Sequence, residues 1–143
     1  VRIPLSKEDS ASAGPGEGST PKTSRRVLVI EDNADAADTL QVLLELSQHE
    51  VAVASDGFEG LSTARTFQPD VVLCDIGLPG MDGFDVARAF RGDEQLKAIF
   101  LVALTGYALP EDLQQAKAAG FDRHLAKPVD YQKLEALLAG LRR

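Results

Sequence analysis

Val71-Val72-Leu73-Cys74-Asp75-Ile76-Gly77-Leu78-Pro79-Gly80-Met81-Asp82-Gly83 sets an apolar run, too short for a helix, against an acid and then a Gly/Pro-rich turn. Such a run reads as a strand buried on both faces. Asp75 then stands at the carboxyl end of that strand, where open α/β sheets place their ligands. A turn or capping role accounts for a lone Asp equally well, because Asp readily hydrogen-bonds nearby backbone. The flanking chain decides between the two.

Val27-Leu28-Val29-Ile30 is a second run of this kind, and it stops at Glu31-Asp32-Asn33. Two adjacent acids at a strand end are costly unless a cation or a base compensates them; simple acidity at a helix start, favoured by the macrodipole, is the plainer account. Asn33 or Asp35 can cap the helix that follows, with Ala37, Leu40 and Leu44 at helical spacing. Val51-Ala52-Val53-Ala54 predicts a third strand, and His49 before it is expected to be a solvated residue of a helix-to-strand turn. Phe58, Leu61, Ala64 and Phe67 mark a second amphipathic helix closed by Pro69, and a third helix over 83–91 turns Phe84, Ala87 and Phe90 inward. Phe100-Leu101-Val102-Ala103-Leu104 predicts a fourth strand, ending at Thr105-Gly106. Pro110, Glu111 and Asp112 start a helix that Gly120 stops, with a thin stripe of Leu113, Ala116 and Ala119. Residues 121–126 supply a fifth strand ending at Lys127-Pro128, after which Asp130 caps a helix carrying Leu134, Leu137, Leu138 and Leu141.

Strands and helices alternate five times with short connections, which predicts a parallel sheet covered on both faces. The expected fold is α/β: a doubly wound five-stranded parallel sheet in the order 2-1-3-4-5, flanked by five helices and flavodoxin-like. At 143 residues, 44% hydrophobic and 26% charged, the chain suits one soluble domain with a real core. Fifteen basic against 22 acidic residues give a formal charge of -7, which argues against a nucleic-acid surface or direct membrane contact. The one cysteine, Cys74, forms no internal disulfide and is expected as a buried strand residue. No run approaches membrane-spanning length and no signal-peptide pattern opens the chain, so the expected location is cytoplasmic. Residues 6–24 contain no large apolar side chain and are expected to be a flexible linker, between a possible upstream end at 1–5 and a domain at 25–143. The first residue is Val1 rather than Met, which points to a piece of a longer protein.

Glu31, Asp32, Asp75, Thr105 and Lys127 all fall at carboxyl ends of predicted strands, so parallel topology brings them to one rim. Three neighbouring carboxylates call for a hard cation, and oxygen ligands with room for waters point to Mg2+. Lys127 adds a mobile point charge suited to a phosphoryl oxygen, and the Thr105 hydroxyl can hydrogen-bond another. The chemistry that fits is attack of an Asp75 carboxylate oxygen on phosphorus, giving an aspartyl phosphate. No histidine or serine lies where a hydrolytic triad needs one, and no Gly-x-x-x-x-Gly-Lys-Ser/Thr loop is present.

The runs at 27–33, 71–84, 103–106 and 125–130 resemble, in this order, the motifs of response-regulator receiver domains of two-component signalling, and the resemblance spans residues 25–141. It implies that Asp75 accepts a phosphoryl group from a phosphohistidine of a histidine kinase or histidine phosphotransfer domain. It further implies that Glu31, Asp32, Asp75 and the backbone carbonyl of Gly77 hold Mg2+, that Thr105 and Lys127 contact the phosphoryl group, and that the Lys127–Pro128 bond is cis. Two departures stand out. Glu31 occupies a position where the family more often has the shorter Asp, so it would reach a metal through a water. His124 stands three residues before Lys127, where the family usually places a switching Tyr or Phe. Either it is a solvent-facing polar residue, or it swings with Thr105 on phosphorylation; Tyr107 is the other candidate for that role.

Val1-Arg2-Ile3-Pro4-Leu5 resembles the closing strand of histidine-kinase ATP-binding domains, which implies the C-terminal receiver of a hybrid sensor histidine kinase, with membrane anchoring of the parent chain as one option. A stand-alone single-domain regulator and a docking-only receiver are the alternatives within the family. An aspartate-nucleophile phosphatase would want a second acid two residues after the first, where Gly77 stands here. With nothing expected after the last helix, the domain is expected to work by offering or hiding a surface, or by passing its phosphoryl group on, with residues 110–119 and the adjoining strand the first place to look for that surface. A homodimer is one use of that surface.

Overall fold

Five strands alternate with five helices in the computed structural model, among the described residues 24–78, 80–106, 110–127 and 129–140. In chain order they are β1 (Arg26–Ile30), α1 (Ala34–Leu46), β2 (Glu50–Ala54), α2 (Gly57–Phe67), β3 (Val71–Asp75), α3 (Gly83–Arg91), β4 (Phe100–Thr105), α4 (Pro110–Ala119), β5 (Arg123–Ala126) and α5 (Tyr131–Ala139). Every neighbouring pair is parallel, and the sheet order is β2-β1-β3-β4-β5. The predicted doubly wound, flavodoxin-like architecture is therefore the one observed. No helix among the described residues is long and apolar enough to cross a membrane.

The continuous apolar runs divide between two cores by the period of two that a strand imposes. Val27, Val29, Val71, Leu73, Val102 and Leu104 pack on Leu40 and Leu44 of α1 and Leu134 and Leu138 of α5. Leu28, Ile30, Val72, Cys74, Leu101 and Ala103 face the other way, onto α2, α3 and α4. Both faces of β3 are thus covered, and all five of its residues are buried. Fully burying each Leu or Val is worth about 1.5–3 kcal/mol, and β3 supplies such side chains to both cores at once.

Side-chain caps start the helices immediately beyond the strand ends. Asn33 Oδ1 accepts the Ala36 N–H at 3.1 Å, which makes Asn33 and not Asp35 the α1 cap. Asp56, Asp82 and Asp130 do the same for α2, α3 and α5. These short turns keep the residues after β1 and β3 close to the sheet rim.

Three expectations need correction. His49 is 6% exposed rather than solvated: its Nδ1 accepts the Arg25 N–H at 2.9 Å and its Nε2 lies 3.3 Å from Glu135 Oε2. Phe58 is 66% exposed rather than inward. The buried stripe of α2 is Gly57, Gly60 and Ala64, because a Cβ at Gly60 would lie 2.4 Å from Ile30 Cδ1; that close approach turns Phe58 outward. β5 begins at Arg123 rather than at 121, since Asp122 folds back to accept the Leu101 N–H and the Arg91 guanidinium while Phe121 enters the core. Residues 1–5, nearly all of the 6–24 linker, Tyr107, the Lys127–Pro128 bond and Leu141 lie outside the described residues.

Gly83 opens α3 directly on the backbone that follows Asp75: a Cβ there would meet Ile76 Cα at 2.4 Å and the Asp75 carbonyl oxygen at 2.7 Å. Neither atom is free to move aside. Gly83→Ala should destabilise the domain by about 2–3 kcal/mol in urea unfolding, whereas Gly92→Ala, whose Cβ meets nothing closer than 3.4 Å, should change stability by less than about 1 kcal/mol.

Candidate functional site

Glu31, Asp32, Asp75, Thr105 and Lys127 all stand at the carboxyl end of the sheet, just after or at the last residues of β1, β3, β4 and β5. The strand pairing sets their spacing. Ile30 lies beside Cys74, Asp75 beside Leu104 and Thr105 beside Ala126, so three successive parallel neighbours end at one level.

One oxygen from each of Glu31, Asp32 and Asp75 lies within 4.8 Å of the others. Glu31 and Asp75 are buried, 2% and 8% exposed, while Asp32 faces solvent. The Lys127 ammonium reaches between the two buried acids, 2.9 Å from Glu31 Oε1 and 3.1 Å from Asp75 Oδ2. Backbone amides support the same groups: the Asn33 N–H donates to Glu31 Oε2 at 3.2 Å and the Gly77 N–H to Asp75 Oδ1 at 2.9 Å. Glu31 Oε1 has the lysine as ion-pair partner but no aligned hydrogen bond. The Thr105 hydroxyl is fully buried and has no hydrogen-bond partner among the described residues.

These contacts set the titration of the site. Burial pushes the Glu31 carboxyl above its ordinary range, opposed by Lys127 and the Asn33 amide and reinforced by the Asp75 charge. Burial also works against the Lys127 ammonium, but Glu31 and Asp75 together overcome it and hold the lysine charged beyond its usual range. The Cys74 thiol on the adjoining strand position is pushed up, first by burial and then by the charges of Asp75, Glu31 and Asp82, so it is no thiolate at neutral pH.

Three acids against one lysine leave two negative charges in excess. At 4 Å a like-charge pair costs about 4 kcal/mol at an effective dielectric of 20, which is large against any surface ion pair. The donor set therefore fits a hard divalent cation with oxygen ligands, and exposed Asp32 leaves room for water in its shell. An unpaired buried hydroxyl ordinarily costs about 1–3 kcal/mol, so Thr105 Oγ1 fits a position awaiting an acceptor. A phosphoryl oxygen is one such acceptor.

His124 is exposed on β5 and pairs with Ala103, two register positions behind the Thr105–Ala126 pair and on the same face of the sheet. Sequence reasoning missed two supports. The Asn33 amide on Glu31 was hidden by reading Asn33 only as a cap. The crowding of Gly83 on the backbone after Asp75 was foreshadowed only by Gly83 directly following the capping residue Asp82.

Comparison with known proteins agrees with this fold. The family model described as the response regulator receiver domain matches residues 27–139. The polar-differentiation response regulator DivK of Brucella ovis is 31% identical over 106 residues, covering 74% of this chain and 86% of DivK. Among solved structures, the chemotaxis protein CheY4 of Vibrio cholerae superposes with a TM-score of 0.77 at 31% identity, covering 82% of this chain and 98% of that one. The receiver domain of the sensor histidine kinase PA1611 of Pseudomonas aeruginosa PAO1, which has a magnesium ion coordinated in its active-site cleft, gives 0.74 at 28% identity, over 81% of this chain and 95% of that one. The chain belongs to the response regulator receiver domain family of two-component signalling.

Proposed function

We propose that this receiver takes a phosphoryl group from a phosphohistidine onto Asp75 and thereby switches a protein-interaction surface. The observation that carries the reading is Lys127 held between Glu31 and Asp75 beside an unpaired Thr105 hydroxyl. An Asp75 carboxylate oxygen attacks phosphorus, the phosphorus–nitrogen bond to the imidazole breaks, and the nitrogen keeps the electron pair. Asp75 Oδ1 is oriented by the Gly77 amide and Oδ2 by Lys127. Lys127 is placed to turn from Asp75 Oδ2 to a phosphoryl oxygen as charge moves there, and Thr105 Oγ1 to donate to another.

Glu31, Asp32, Asp75 and the Gly77 backbone carbonyl would hold Mg2+, which supplies charge neutralisation to the transferring group. His124 and Tyr107 are the proposed switching side chains. The donor is a histidine kinase or a histidine phosphotransfer domain. The expected cytoplasmic setting and the parent hybrid kinase belong to the same proposal, supported by the resemblance at residues 1–5 and the polar stretch at 6–24. A stand-alone regulator is the second reading, favoured by the likeness to DivK, of which this chain matches 86%.

Three outcomes are expected. Incubation with acetyl phosphate and Mg2+ should add one phosphoryl group by intact mass, and Asp75→Asn or omission of Mg2+ should abolish the gain; no gain in the wild type refutes the phosphoacceptor reading. Mg2+ at a hundredfold over its Kd should raise unfolding stability by about 2.7 kcal/mol. Asp32→Asn should remove that response while raising the melting temperature of the metal-free domain, because one of three crowded charges is gone. The Glu31 carboxyl binds its proton more tightly folded than unfolded, so its stability contribution is complete below the ordinary value of 4.5 and lost as pH rises through the raised value. Urea unfolding in chelator should therefore show wild type gaining on Glu31→Gln as pH falls through that window, with Mg2+ affinity falling alongside.

A further inference from the structure

Among the described residues, four side chains bring polar atoms to a cavity of about 240 Å³ between α1 and α5, and three of the four are already committed. The Thr39 hydroxyl donates to the Asp35 carbonyl at 2.9 Å. The Tyr131 hydroxyl lies 2.7 Å from the Leu43 carbonyl, from Ser47 Oγ and from Glu135 Oε2, so this residue turns its ring to the cavity. The Lys127 ammonium is divided between Glu31 and Asp75. What is left is Glu31 Oε1, in a side chain 1% exposed, which has the lysine's charge beside it but accepts no aligned hydrogen bond.

The rest of the wall is apolar. Leu40 and Leu104 belong to the core beneath α1 and α5, Val129 and Tyr131 pack against that core, and Ala36 and Leu43 close the α1 side. An apolar cavity of about 150 Å³ is enough for one benzene ring, so this one has room for a second, fused ring. A wall of this kind gains more from a ring than from water. The charges restrict the ligand further. A carboxylate would stand against Glu31 and an ammonium against Lys127, and either would have to leave water for an apolar wall. A neutral donor meets neither penalty, and a hydrogen bond to a carboxylate is among the stronger ones.

We propose that this cavity binds a small neutral aromatic molecule, one or two fused rings carrying a single N–H or O–H donor, of the indole or phenol class. The rings lie among Leu40, Leu43, Leu104 and Val129, beside the ring of Tyr131, and the donor meets Glu31 Oε1. An aromatic side chain of a partner protein would bring its backbone carbonyl with it, and the wall has no uncommitted donor for that group: the hydroxyls of Thr39 and Tyr131 and the Lys127 ammonium are all engaged. The cavity shares Glu31 and Lys127 with the acidic rim, so a ligand seated here bears on how firmly the lysine is held. The inference does not rest on phosphoryl transfer at Asp75.

The probe is indole, titrated into the whole isotope-labelled chain at neutral pH with Mg2+ and no phosphodonor, and followed by amide chemical shifts. Saturable shifts at Leu43, Leu104, Val129 and Tyr131 are expected, with a Kd of about 1 mM or tighter for a ligand of this size, and none at Val86 or Phe121 in the other core. Indene, which keeps the bicycle and lacks the N–H, should bind about tenfold more weakly although it is the more apolar molecule. Ala36→Phe should fill the cavity from α1 and abolish binding, whereas Thr66→Phe, at an exposed position of α2, should leave it unchanged. The indene comparison uses the wild type and stands whether or not Ala36→Phe folds. Absence of saturable shifts, shifts centred elsewhere, indene binding as tightly as indole, or undiminished binding by folded Ala36→Phe would each overturn the proposal. Tighter binding of N-acetyltryptophanamide than of indole would overturn it too, by assigning the cavity to a partner's side chain. A result of that kind leaves the reading of Asp75 intact, and failure of phosphorylation at Asp75 leaves the cavity inference intact.

Discussion

Burying Glu31 and Asp75 side by side would cost several kcal/mol if Lys127 did not reach both, at 2.9 and 3.1 Å. That contact draws on the ends of β1, β3 and β5, which are not neighbours in sequence and meet only because parallel strands in the order β2-β1-β3-β4-β5 finish at one level. The two apolar cores hold that level: β3 is covered on both faces, and its alternate residues are divided between them. Packing in the middle of the molecule is therefore what makes an unfavourable charge arrangement at its rim affordable. The strain is not relieved within the protein. One lysine cannot neutralise three acids, and the Thr105 hydroxyl has no partner among the described residues, so the rim keeps an excess of negative charge and a free hydroxyl side by side.

The parts legible in the sequence were those that depend on short stretches. Apolar runs ending at an acid, a hydroxyl or a lysine identify strand ends, and helical spacing between them identifies crossovers; from these the sheet order and the rim residues follow. What was not legible depends on partners far along the chain. His49 looks like a turn residue until Arg25 and Glu135 close on it, and Phe58 looks inward until the bare α carbon of Gly60 lets α2 press onto Ile30. The start of β5 could not be read because Asp122 prefers the Leu101 amide and the Arg91 guanidinium to a place in the strand. The pairing of cations was equally out of reach. Arg91 and Arg123 are the same residue type on the same acidic chain, and only the fold gives the first an acid and leaves the second with none among the described residues.

Local crowding does for the loops what apolar burial does for the strands. Gly83 brings the start of α3 against the backbone after Asp75, and its N–H donates to the Ile76 carbonyl at 3.2 Å. With the Gly77 amide fixed on Asp75 Oδ1, the chain leaving β3 is held at two points within eight residues of the carboxylate. Preorganisation of this kind is what lets a carboxylate act as a nucleophile without first being immobilised by its reaction partner.

The rim and the outer edge of the sheet share one short element. β5 has four residues, is mostly exposed, and pairs on one side with β4; the next residue is Lys127, whose N–H donates to the Thr105 carbonyl at 2.8 Å. A group that draws the Lys127 ammonium away from Glu31 and Asp75 therefore acts on the end of β5, and any ligand seated along β5 acts on the backbone that carries Lys127. Thermodynamic reciprocity requires that any such coupling run equally in both directions for the two binding equilibria. Its size depends on whether β5 has two arrangements that the two ligands prefer differently, since a ligand indifferent between them shifts nothing however tightly it binds. The central strands, locked between two cores, offer no such freedom. The edge strand, exposed at three of its four residues, leads directly into Lys127 and the acidic rim.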